Sequence, residues 1–217
     1  VLWMCTLLRY DIGARYRPGC RRTGFRPNRL VGLLVVDPLT LVSDVSDMNN
    51  PFPRIYITHR DCPEDEQAAR VTRDIHRAIP FTETAGLTIE AYTPTRVVVA
   101  VDDREALHNH VGTPHAAVLS LLSETASGLV VAINVRDPAL PILRSMEVGF
   151  RRLGIGRLTA EAALSEDEAE RIRNRPIGKI AVDVAVTTGN TAPSAETTMH
   201  WAWLPQSKLS LPASENG

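Results

Sequence analysis

The sequence predicts an α+β protein in which a curved, largely antiparallel sheet wraps around one central helix. Two observations carry this. Residues 115–126, HAAVLSLLSETA, are apolar nearly all the way round a helix, with Ser120 and Ser123 as small polar interruptions and Glu124 as a lone acid. A helix without a useful polar stripe is a buried one. The segments that follow alternate with period two and are joined mostly by short links, which favours antiparallel neighbours. One apolar helix against one such sheet is a two-layer α+β arrangement.

Each element follows in order. Residues 1–47 are Arg-rich, with irregular apolar patches and no sustained period. They are expected to be disordered, or an extension from a start assigned too far upstream, since Met48 opens MNNPFPR and reads as a natural start. The alternative is a genuine N-terminal arm. A single domain is expected over 48–205, and a flexible tail over 206–217. PEDEQAARVTRDIHRAI places Ala68, Val71, Ile75 and Ile79 at helical spacing behind a Pro and acids, which predicts an amphipathic helix. LTIEAYTPTRVVVAVDD reads as two strands around a Thr93–Pro94 turn. For the central helix, Thr113 is the expected N-cap, Pro114 the first helical residue, and Gly112 the point where the backbone turns. GLVVAINV, ILRSMEVGF and RLTAEAAL read as strands. SEDEAERIRNR has Ser165 as N-cap, acids in its first turn and arginines in its last, which predicts a short solvated helix. KIAVDVAVTT and SAETTMHWAWLP alternate on either side of Gly189–Asn190 and predict a hairpin. The predicted order is helix, two strands, central helix, then about five strands.

Composition narrows the function classes. The 217 residues suffice for one ordinary domain with a full core, and 44% of them are hydrophobic. The net charge of −1 gives no bulk attraction to nucleic acid or to a membrane surface. No apolar stretch reaches the ~18–20 residues of a spanning helix. VLWMCTLL lacks the basic region and cleavage site of a signal peptide. Cys5, Cys20 and Cys62 form neither a disulfide framework nor a C-x-x-C site, so a reducing cytoplasm is the expected location.

The acid in the central helix raises the functional question. A carboxylate buried alone is costly and tends to hold a proton, so Glu124 needs a partner or a purpose. It could reach water near the helix end or pair with an arginine such as Arg144. It could instead activate water or attack a carbonyl. His115 and Glu124 are nine residues apart, about 13–14 Å along the axis, and they point to opposite sides. The helix N-terminus and Glu124 of one chain therefore cannot act on the same carbon. Two antiparallel copies of the helix across a two-fold axis could, which makes a dimer with interface sites the expected assembly if both ends are functional.

These residues resemble the hotdog-fold thioesterases, in the branch of the phenylacetyl-CoA (PaaI-type) thioesterases and the related DUF4442 domains. That motif runs Asn, Gly, His-Gly-Gly, then an acid fifteen residues after the Asn. Here it reads Asn109, Gly112, His115-Ala116-Ala117 and Glu124. SMEVGFRRLGIGRLTAEAAL is similar to the family's strand–loop–strand after the helix, and the resemblance spans roughly residues 65–204. It implies a hotdog fold and hydrolysis of an acyl-CoA or acyl-carrier thioester by a homodimer or dimer of dimers. It implies that Asn109 positions water or the thioester, that the Ala116 N–H polarises the thioester oxygen, and that Glu124 of the other protomer is base or nucleophile. No cofactor is expected beyond coenzyme A as part of the substrate, and neither nucleic acid nor membrane is expected as a partner.

The chain departs from the motif in two places. Ala116-Ala117 replaces Gly-Gly, and its methyls narrow the space for the thioester. The serine some relatives carry on the next strand is not clearly matched, with Ser145 nearby. His110 reads best as a loop-packing residue, and His115 as either a helix cap or a site residue. His108, His110 and His115 lack the helical spacing and companion acids of a metal site, so no metal is expected. Arg151, Arg152 and Arg157 flank the LGIG loop as surface charges or as a clamp for the phosphates of coenzyme A. A non-catalytic hotdog module remains the main alternative. A hotdog dehydratase is disfavoured, because the sequence has no Asp-x-Asn-x-x-His motif.

Overall fold

The computed structural model describes residues 50–189 and 192–209. The expectations for residues 1–47, and for most of the tail, lie outside these. Pro51 starts α1 (Phe52–His59), and a link that ends in Pro63 leads to α2 (Glu64–Ala78). α2 turns its Val71 and Ile75 into the core. A short α3 (Pro80–Ala85) ends at Gly86, whose φ of 68° is the left-handed helix stop that glycine adopts without strain. Strands β1 (Leu87–Tyr92) and β2 (Arg96–Val101) follow, then the long helix α4 (Ala116–Ala132). The chain continues through β3 (Ala139–Phe150), β4 (Leu158–Ala163), α5 (Glu166–Arg173), β5 (Gly178–Thr188) and β6 (Ala195–Pro205).

The six strands form one sheet in the order β1-β2-β4-β5-β6-β3, and every pairing is antiparallel. α4 packs against β2, β3, β4, β5 and β6, so the curved sheet wraps it as expected. The buried inner positions of β4, β5 and β6 alternate with half-buried or exposed ones, and Leu122, Ala126 and Val130 of α4 are fully buried against that inner face. At Gly128, α4 lies directly against the Trp201 ring of β6. A Cβ there would lie 2.8 Å from two ring carbons of Trp201, whose indole N–H donates to the Ser127 hydroxyl at 3.0 Å. The Ser165 capping box forms as expected, with the Ser165 hydroxyl accepting from the Glu168 N–H and the Glu168 carboxylate accepting from the Ser165 N–H.

Four expectations are corrected. GLVVAINV is not a strand: Gly128–Ala132 is the last part of α4, and the strands after the helix number four among the described residues. Short buried apolar runs carry no period that separates strand from helix, and here the core closes around the helix on both sides. The N-cap of α4 is His115, not Thr113, and Pro114 is not helical. Pro114 sits in an isolated bridge with His108, and the Thr113 hydroxyl is taken by Asn109. α1 and α3 were not predicted, being short and Pro-led. Among the described residues, no helix is long and apolar enough to cross a membrane.

Candidate active site

The loop before α4 is built by Asn109. Its side-chain oxygen accepts from the N–H groups of Val111 (2.9 Å) and Thr113 (3.3 Å), and its amide donates to the Thr113 hydroxyl (3.1 Å). The Gly112 N–H closes the turn on the Asn109 carbonyl at 3.0 Å, with Gly112 at φ 75°. Asn109 thus spends its side chain on holding a tight loop, a role the Asx turn explains. The His115 N–H donates to the Leu107 carbonyl at 2.8 Å, which fixes where the helix begins.

At the start of α4 the His115 Nδ1 accepts from the Ala117 N–H at 3.0 Å, and the Val118 N–H donates to the His115 carbonyl. The His115 ring is therefore a cap. The Ala116 N–H has no acceptor among the described residues. It is the first amide of a seventeen-residue helix, at the positive end of the dipole.

Among the described residues, Glu124 lies on a stripe of α4 that the rest of the chain leaves open. Ala117 is exposed, while Leu121, Glu124 and Gly128 are half-buried. Glu124 makes no ion pair among the described residues, with Arg144 or any other cation. Burial pushes its carboxyl above the ordinary glutamate range, and the neighbouring Thr125 hydroxyl offsets part of this. That hydroxyl closes no well-formed hydrogen bond of its own, so the offset is weak. Eight residues separate Ala116 from Glu124, about 12 Å of helix, so a single chain does not bring them together.

The open stripe has a neighbour of similar character. Leu143, Met146, Val148 and Phe150 of β3 point to the helix side, opposite inward residues of β6, yet remain half-buried. β3 is an edge strand. Ser145 falls at a register shift in β3, exposed and opposite His200, which faces away from the core. It does not join the site.

The three arginines do not converge. Arg151 pairs with Glu196 at 2.8 Å beyond β3, while Arg157 pairs with Glu90 at 2.6 Å and with Asp102 beside β4. Two strands lie between β3 and β4, about 14 Å of sheet. Arg152 is exposed and has no carboxylate partner among the described residues. His110 is exposed, and no group of three His, Cys, Asp or Glu able to hold a metal occurs among the described residues.

One pair went unread in the sequence. The His108 Nε2 contacts Asp103 at 2.6 Å, and the other Asp103 oxygen accepts from the Gly156 N–H at 3.2 Å. This pins the loop before α4 to the loop that carries the arginines. The His108 contact also holds the Asp103 carboxyl below the ordinary range. The link depends on a residue 53 positions away, so no local spacing announces it.

Comparison with known proteins agrees with this architecture. The family model described as a domain of unknown function, DUF4442, matches residues 68–204. Among solved structures, a Pseudomonas aeruginosa protein of unknown function described as a probable thioesterase superposes with a TM-score of 0.56 at 21% identity, covering 62% of this chain and 93% of its own. A thioesterase family protein from Silicibacter pomeroyi gives 0.50 at 20% identity, covering 62% and 96%. A Pseudomonas aeruginosa thioesterase carrying a single substitution gives 0.52 at 16% identity, covering 67% and 97%. No curated protein matches. At these identities the structures establish the fold, and the family model establishes the membership: the chain belongs to the DUF4442 family and has the hotdog fold of the thioesterase structures.

Proposed function

We propose that the protein hydrolyses an acyl thioester, of coenzyme A or of an acyl carrier, at sites shared between two protomers of a homodimer or dimer of dimers. The observation that carries this is the pairing on one helix of an unspent N-terminal amide, Ala116, with a half-buried and unpaired acid, Glu124. The two are too far apart to cooperate within a chain. Antiparallel apposition of two α4 helices brings the amide of one against the acid of the other, and it covers the open stripe and the half-buried β3 side chains together. The Ala116 N–H then receives charge developing on the thioester oxygen. Glu124 takes a proton from a water whose oxygen bonds to the carbonyl carbon, or it attacks that carbon itself to form a mixed anhydride that water then hydrolyses; in either route the C–S bond breaks and the thiolate of the carrier leaves. Asn109 shapes the loop against which the thioester lies.

A second reading has its own support. The Asn109 amide is consumed within its loop, and the Ala116 and Ala117 methyls occupy space beside the free amide. Both features suit a module that binds thioesters without cleaving them. A panel of acyl-CoAs separates the two. Glu124→Gln should lower turnover of the best substrate by about two to four orders of magnitude. Glu124→Asp should retain part of it. Wild-type turnover in the Gln variant would sink the catalytic assignment.

A further inference from the structure

An open cavity of about 540 Å³ lies at the far end of α4, walled by α1, the β1–β2 turn, the segment after α4, and α5. This volume is in the range that holds small ligands. Three guanidinium groups line it, from Arg54, Arg136 and Arg173, and none has a carboxylate partner within ion-pair distance among the described residues. Asp137 offsets one of these charges, and one of its oxygens is already taken by the Asn50 N–H at 3.0 Å. The cavity therefore keeps an excess of positive charge.

Its walls are fixed by buried amides. The Asn134 side chain, 1% exposed, donates to the Pro94 and Val130 carbonyls, and its oxygen accepts from Arg173 at 2.5 Å. One guanidinium is thus held in place before any ligand arrives. The Asn50 side chain, 5% exposed, donates to the Ala132 and Val135 carbonyls and closes the end of α4. Beside the charges lies an apolar surface of Tyr56, Ile57 and Ile133, with Ile57 58% exposed. Arginines gathered at a helix C-terminus also favour the dipole. That explanation requires neither the cavity nor the apolar wall.

We infer that this cavity binds a small amphipathic anion, with a phosphate or carboxylate head on the three arginines and an apolar body against Tyr56, Ile57 and Ile133. Arginine suits such heads because its planar fork pairs with two oxygens at once. The site is separate from the proposed catalytic one. The seventeen residues of α4 put about 25 Å between the helix ends.

Calorimetric titration of the full chain tests this, with phenyl phosphate, benzoate, inorganic phosphate and phenol as probes. Phenyl phosphate or benzoate should bind at one site per chain, and the stronger of the two identifies the head group. Arg54→Gln with Arg136→Gln, both exposed and so tolerable to the fold, should weaken binding by at least about tenfold, the loss expected for charge-assisted hydrogen bonds. Ile57→Ser should remove the preference for phenyl phosphate over inorganic phosphate. Arg152→Ala, an exposed arginine after β3 that does not line this cavity, should leave binding unchanged. So should Glu124→Gln, which keeps this result separate from that of the thioesterase assay. Absence of saturable binding by both aromatic anions, or equal binding in the wild type and the double arginine variant, overturns the inference.

Discussion

Gly128→Ala is a sensitive test of how α4 is seated. The new Cβ would sit 2.8 Å from two carbons of the Trp201 ring, against an ordinary carbon–carbon separation of about 3.5–4.0 Å. Something must move by about 1 Å. The ring cannot yield cheaply, because Trp201 is 6% exposed and its N–H is tied to Ser127 at 3.0 Å. Overpacking of this kind costs about 1–3 kcal/mol. Loss of the indole hydrogen bond adds about 0.5–1.5 kcal/mol if the ring swings away. Alanine returns up to about 1 kcal/mol of helix propensity. The net expectation is a loss of about 1–3 kcal/mol, read as a lower urea midpoint with unchanged slope. In a Trp201→Phe background the clash is relieved, so the same substitution should cost less. Stability equal to or above wild type in Gly128→Ala alone would refute the close seating of α4 on β6, and with it the placement of Glu124 one turn earlier.

Three further outcomes follow from named contacts. Ser165→Ala removes the acceptor for the Glu168 N–H and half of the capping box, and should cost about 1 kcal/mol by denaturant titration. Glu124→Gln should raise the melting temperature at neutral pH. Burial raises the folded-state pKa of this acid, so its favourable contribution is complete below the unfolded value near ~4.3 and is lost as pH rises through the folded one. The advantage of Gln should therefore shrink as the pH is lowered towards that value, and a Gln variant less stable than wild type at neutral pH would count against a buried, unpaired carboxylate. Val148→Asp, on the half-buried inner side of β3, should abolish the proposed dimer in sedimentation, whereas a wild-type chain already monomeric at micromolar concentration would remove the shared site altogether.

The parts legible in the sequence were those with a local physical signature. β4, β5 and β6 are buried on one side only, so period two survives in their residues. α5 carries its charge gradient in eight residues, with its cap, Ser165, immediately before them. The whole apolar circumference of α4 betrayed its burial, and the cost of a lone acid inside it singled out Glu124. The second half of α4 was misread for the same reason: Leu129, Val130, Val131 and Ala132 are all in the core, and no solvated side marks a helical period. His115 displaced Thr113 as the cap because the loop recruited Thr113 for Asn109, a choice set by tertiary geometry. The arginine cavity was invisible for a different reason. Its charges come from positions 54, 136 and 173, which only the fold brings together.

Two variants, mixed, test the shared site most directly. Ala116→Pro removes the free amide at the first helical position, where proline is tolerated and the preceding His115 is already extended at φ −64° and ψ 142°. Glu124→Gln removes the acid. Each homodimer should be nearly inactive on the best acyl-CoA. A heterodimer retains one complete site, in which the Glu124→Gln chain supplies the intact Ala116 amide and the Ala116→Pro chain supplies the intact Glu124 carboxylate. An equimolar mixture after subunit exchange should therefore recover about a quarter of wild-type turnover. A mixture no more active than either variant alone, under conditions where exchange is complete, would contradict a site shared across the two-fold axis.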